Sequence, residues 1–86
     1  MKDKVKFLDE AKAGIVTVEF RKIDTEELRI MPCTLNKEIS GGKVPETFNQ
    51  KPDSDHFAVW CIDRGAWRSF RVNTVEQWYK GMPQQG

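Results

Sequence analysis

The stretch His56-Phe57-Ala58-Val59-Trp60-Cys61-Ile62-Asp63-Arg64-Gly65-Ala66-Trp67-Arg68-Ser69-Phe70-Arg71-Val72 decides the fold. Its first seven residues are a nearly continuous apolar run, the pattern of a strand covered on both faces. Asp63-Arg64-Gly65-Ala66 reads as a tight turn, with glycine where a positive φ is needed. Trp67 to Val72 returns as a second strand. The sequence therefore predicts a β-hairpin with strands over 56–63 and 67–72.

Working outward, Ile15-Val16-Thr17-Val18-Glu19-Phe20-Arg21-Lys22-Ile23 alternates apolar and polar side chains and is rich in β-branched residues. That is a strand over 15–23 with one face buried. After the polar turn Asp24–Glu27, alternation resumes over 28–35, but its phase changes at Met31-Pro32. Proline donates no ladder hydrogen bond, so a bulge or edge position is predicted there. Ahead of these strands, Val5, Leu8 and Ala11 recur at a spacing near three, which predicts a helix over 2–13 stopped by Gly14.

Residues 36–55 keep no period and hold Gly41-Gly42, Pro45 and Pro52. They read as a long, solvent-exposed loop. Asn73-Thr74 offers a cap for a helical turn over Val75–Tyr79, and 81–86 is expected to be disordered. The sum is a single domain over residues 1–80. It is mainly β: a small SH3/Sm-like antiparallel barrel with a short N-terminal helix and a C-terminal helical turn.

Composition excludes several classes. The 86 residues carry 14 Lys plus Arg against 13 Asp plus Glu, so net charge of +1 gives no argument for a polyanionic partner. No run of eighteen apolar residues exists, so no membrane helix is expected, and the charged first residues lead into no apolar stretch of a secretory signal. The two cysteines, Cys33 and Cys61, fall inside predicted strands. They read as buried thiols in a reducing compartment, with a disulfide between neighbouring strands as the open alternative.

No catalytic constellation appears. The one histidine, His56, has no Cys or His partner at metal-ligand spacing, and Gly41-Gly42 lacks the Lys-Ser or Lys-Thr of a phosphate loop. The carboxylate pairs Glu26-Glu27 and Asp53-Asp55 sit in solvated turns. No enzyme, cofactor or metal site is expected. What stands out is a local cluster, Arg64, Trp67, Arg68, Phe70 and Arg71, which contains no acid. Guanidinium groups suit phosphates and aromatic rings stack on bases, so this cluster is the candidate ligand site for single-stranded nucleic acid or a nucleotide. In a strand, Trp67, Ser69 and Arg71 share one face while Arg68, Phe70 and Val72 share the other. The same residues also suit a bland reading, with Phe70 in the core and the arginines solvated. Phe48, Trp78 and Tyr79 are the candidate partner surface, unless Trp78 plugs one end of the barrel.

Arg68-Ser69-Phe70-Arg71-Val72-Asn73-Thr74-Val75 resembles the Arg-x-Phe-Arg-Leu-Asp-Arg-Ile signature that closes WYL domains, the SH3/Sm-like modules of bacterial transcriptional regulators. Together with Val16–Phe20 and Met31–Leu35, it is similar to a family of short bacteriophage proteins with a WYL-like Sm/SH3 barrel. Asn73 and Thr74 stand where the signature has Asp and Arg, and Ala58-Val59-Trp60-Cys61 replaces the Trp-Tyr-Leu tripeptide. The resemblance implies a Sm-like barrel and a basic nucleic-acid or nucleotide site at Arg68 and Arg71. It further implies a non-catalytic accessory protein in the cytoplasm of an infected bacterium, or a module that docks on a host protein. Open strand edges leave self-association an open question.

Overall fold

A computed structural model of the chain describes residues 1–83. Helix α1 spans Lys4–Ala13, followed by β1 (Ile15–Arg21), β2 (Leu28–Thr34), β3 (His56–Cys61) and β4 (Ala66–Arg71). A 3-10 turn, Val72–Thr74, leads into β5 (Val75–Lys80). The five strands form one antiparallel sheet in the order β4-β3-β2-β1-β5. The fold is thus mainly β with one N-terminal helix. The expected closed barrel is corrected in one respect: β4 and β5 are the two edges and do not pair.

Alternation along the strands fixes which side chains enter the core. Val16, Val18, Met31, Cys33, Phe57, Val59, Cys61 and Phe70 point inward, and α1 lies over them with Phe7, Leu8 and Ala11. The helix face differs from the predicted one. Phe7, Leu8 and Ala11 form the buried stripe, spaced as i, i+1 and i+4, while Val5 is 58% exposed. Phe7 is the hub: its ring lies 5.9 Å from Phe57, 5.9 Å from Phe70 and 5.3 Å from Trp78. The edge-to-face geometry of the last two contacts suits the aromatic quadrupole.

Several sequence expectations change. Val75–Lys80 is a strand and not a helical turn, because the chain leaving the 3-10 turn finds the free edge of β1 and pairs with it from Val16↔Lys80 to Phe20↔Val75. Of the bulge or edge position expected at Pro32, the bulge is absent, since the β1–β2 register runs unbroken from Ile15↔Thr34 to Arg21↔Leu28. The edge position holds on the β3 side, where pairing stops at Cys33. The bulge lies instead in the β1–β5 ladder, between Glu19 and Phe20. Leu28 and Ile30 face solvent at 37% and 41% exposure, so the inward set is Met31 and Cys33 with no change of phase. Pro32 is accommodated because its nitrogen faces β3, where the ladder ends: Ile62 N–H donates to Pro32 O at 2.9 Å, and the reciprocal donor is not needed. β3 also departs from double-sided burial, since it alternates buried Phe57, Val59 and Cys61 with an exposed His56 and half-buried Ala58 and Trp60.

The segment 36–55 has no helix or strand, yet it is not a bare solvated linker. Val44 is buried in the core, and the Ser40 hydroxyl accepts the Val44 N–H at 3.0 Å. Gln50 substitutes for a strand. Its Nε2 donates to Ala58 O at 2.8 Å, and its Oε1 accepts the Ala58 N–H at 2.9 Å. These bonds satisfy backbone groups on the β3 edge that β2 has already left. At the C-terminus, Gly81 N–H donates to Ile15 O at 2.8 Å and Thr17 Oγ1 donates to Gly81 O at 2.7 Å. The expected disorder of 81–86 therefore does not hold at Gly81, and residues 84–86 lie outside the described residues.

Candidate nucleic-acid interface

The hairpin β3–β4 places the candidate residues on different surfaces. Its register sets Trp60 opposite Trp67, Ala58 opposite Ser69, and His56 opposite Arg71. These six side chains form the outer face, and Phe57, Val59, Arg68 and Phe70 lie on the other. Phe70 is 4% exposed and packs against Phe7, Phe20 and Phe57, so it is a core residue with no ring face left for a base. Arg68 projects from the face opposite to Arg71, with its Nη1 donating to Trp67 O at 3.0 Å. Arg68 and Arg71 therefore do not grip one phosphate together. Arg64 is exposed in the turn.

What the outer face does assemble is an aromatic cluster at one end and cations at the other. Trp67 is 38% exposed, with Trp60 edge-on at 6.0 Å and Phe48 from the long loop at 5.2 Å. Four residues further along the strand, roughly 13 Å away at ~3.3 Å per residue, stands Arg71. The small residues Ala58 and Ser69 lie between them.

At the Arg71 end lies a cleft of about 730 Å³, where the ends of β1 and β4 face each other without pairing. Phe20 and Phe70 stack across this gap at 5.5 Å and make its floor, with Phe20 only half-buried. Arg71 and His56 line one wall; Arg21 and Lys22, at the end of β1, line the other, with Asp24 and Asp55 also contributing. Lys22 and Phe20 were not legible as site residues, because they are forty-nine and fifty positions from Arg71 and Phe70 and only the sheet order brings them together. His56, a bland strand-end residue by sequence, is exposed and joins them.

Charge pairing separates available cations from structural ones. Among the described residues, Arg64, Arg68 and Arg71 have no carboxylate within ion-pairing distance. Arg21 Nε, by contrast, meets Glu76 Oε2 at 2.6 Å, and Arg29 Nη2 meets Asp63 at 2.9 and 3.1 Å. The hydrogen bond from Arg29 holds the Asp63 carboxyl below its ordinary range, and the same bond raises the Arg29 guanidinium. Arg29 is thus committed to joining β2 to the β3–β4 turn.

The candidate partner surface does not assemble. Because β5 is a strand, Trp78 and Tyr79 point to opposite faces. Trp78 covers Phe7, and its Nε1–H donates to Lys2 O at 2.8 Å. Phe48 belongs with Trp67 on the hairpin. Trp78 therefore packs on the core from a strand, and not from a helical turn plugging one end of a barrel. The described residues contain no group of three His, Cys, Asp or Glu side chains placed to hold a metal, and no helix long and apolar enough to cross a membrane.

This architecture defines a small Sm/SH3-like β domain. The chain belongs to the WYL_2 family, described as an Sm-like SH3 beta-barrel fold, whose model matches residues 4–75. The match runs from α1 through the 3-10 turn to the first residue of β5, and so includes both walls of the cleft. No curated protein and no solved structure matches the chain.

Proposed function

We propose that this domain is a non-catalytic module that binds single-stranded nucleic acid or a nucleotide-like ligand along the outer face of the β3–β4 hairpin. One observation carries the reading: Arg71, with no carboxylate partner, stands at the mouth of an aromatic-floored cleft and on the same strand face as the exposed Trp67. Arg71 and Lys22 hold a phosphate from opposite walls, while Trp67 stacks a base at ~1–3 kcal/mol. A net charge of +1 makes the attraction local, so the salt dependence of binding is shallow.

The test is a titration of tryptophan fluorescence with a single-stranded deoxyoligonucleotide and with AMP, at two salt concentrations. Quenching that weakens about tenfold in Arg71→Ala is expected, since a charge-assisted hydrogen bond contributes ~1.5–3 kcal/mol. No fluorescence response to either probe, or an affinity indifferent to both Arg71→Ala and Trp67→Ala, overturns the reading.

A second reading rests on a different observation. The half of β2 from Leu28 to Ile30 has no strand paired on its β3 side, where the Arg29 side chain alone reaches the β3–β4 turn, and both its apolar side chains are exposed. Such an edge accepts an extended segment of another protein. The resemblance to phage proteins extends this reading to an accessory protein that modulates a host protein in the bacterial cytoplasm. Capture of a specific partner that survives nuclease treatment and is lost in Ile30→Lys supports it; capture abolished by nuclease refutes it.

A further inference from the structure

We propose that Cys33 and Cys61 are a latent dithiol, which hydrogen peroxide converts into a disulfide joining β2 to β3. The sheet consists of two ribbons. β2, β1 and β5 are paired over most of their lengths, and so are β3 and β4, but β2 and β3 share only two residue pairs, Cys33↔Cys61 and Thr34↔Trp60. The two cysteines therefore face each other across the weakest seam of the sheet.

Their position in the ladder suits a bond. The Ile62 N–H donates to Pro32 O, so the backbone groups of residue 32 face β3 and those of residue 33 face β1. Cys33↔Cys61 is accordingly a non-hydrogen-bonded pair, in which opposite Cα atoms lie ~4.5 Å apart and side chains come closest. That separation falls within the ~4.4–6.8 Å range that disulfides use. Both side chains point inward from directly opposed positions, and both are free thiols.

Cys61 reacts first. Both thiols are fully buried, but the Cys61 Sγ donates to Asp63 Oδ1 at 2.8 Å and receives Arg29 Nη2 at 3.5 Å, and those two partners reach the surface, so opening of the seam exposes Cys61 first. The Cys61 sulfur attacks one oxygen of the peroxide, the O–O bond breaks, and hydroxide leaves to give a sulfenic acid. The Cys33 sulfur then attacks that sulfur and displaces the hydroxyl group. Two electrons pass from the thiols to the peroxide, and the two thiol protons end in two molecules of water. Burial pushes both thiols up from their ordinary values, so the pair is inert while the seam is closed and oxidises as it opens.

The experiment uses the intact native chain. After peroxide treatment, thiol alkylation under denaturing conditions should find no free cysteine, and proteolytic mapping should recover the Cys33 peptide linked to the Cys61 peptide within one chain. Closing the loop between positions 33 and 61 should raise Tm by roughly 10 °C, and reduction should reverse the rise. Cysteines that still alkylate, sulfinic acids without a linked peptide, a link between two chains, or an unchanged Tm would each overturn the proposal.

Discussion

The two hairpins of this domain are built alike and used differently. β1–β2 and β3–β4 each turn through one residue in the left-handed region, Glu26 at φ 61° and Gly65 at φ 59°. The first hairpin commits its arginines to carboxylates, Arg21 to Glu76 and Arg29 to Asp63. The second leaves Arg64, Arg68 and Arg71 without carboxylate partners while its apolar residues fill the core. The same side-chain type is therefore structural in one hairpin and available in the other. What decides is whether an acid from a neighbouring element reaches it.

The largest expected effect tests whether the second hairpin is also the core's anchor. Phe70→Ala removes a ring packed against three others and should cost about 3–5 kcal/mol in denaturant unfolding. That is much of the stability of a domain this size. Arg71→Ala, one residue away on the exposed face, should stay within ~0.5 kcal/mol of the native chain. Equal losses would dissolve the distinction between core and site.

Gln50→Ala comes next. It leaves Ala58 N–H and C=O without the partners that close the β3 edge, and should cost ~1–3 kcal/mol. Amide exchange at Ala58 should quicken; exchange unchanged from the native chain would mean that the loop does not guard that edge.

The tie between the hairpins has a pH signature. The folded-state pKa of Asp63 is depressed by its hydrogen bond from Arg29, so its contribution is present above the ordinary carboxylate value of ~3.9 and is lost as pH falls through the depressed one. Asp63→Asn should therefore lower Tm near neutral pH, and the gap from the native chain should close at lower pH. Asp63 is 43% exposed, so the gap is small. A gap constant with pH would remove the ionic origin.

The smallest effect concerns the turns. Glu26→Gly relieves a left-handed backbone at a residue with a Cβ and should stabilise by about 0.5 kcal/mol. Gly65→Ala should do the reverse.

Much of this was legible because it is local. The alternation of Val16, Val18 and Phe20 marked β1, and Asp63-Arg64-Gly65 marked the turn that lets Trp67–Arg71 fold back. The 75–80 strand was not legible: Asn73-Thr74 is a sound helix start, and only the unoccupied edge of β1 makes extension the better outcome. At Pro32 the edge alternative holds and the bulge does not, because the β2–β3 pairing stops at Cys33 and leaves no ladder bond for a proline nitrogen to break.

Half of the candidate site was also local. Trp67 and Arg71 share a strand face by simple alternation, which the sequence alone carries. By itself the chain determined its hairpins, its apolar faces and an acid-free run of arginines, all set by contacts between near neighbours. Only the tertiary structure decided that Phe70 is core, that Lys22 and Phe20 meet Arg71 at one cleft, and that Cys33 faces Cys61. Those facts depend on strand order and register, which arise from packing the whole core at once and leave no short-range pattern to read.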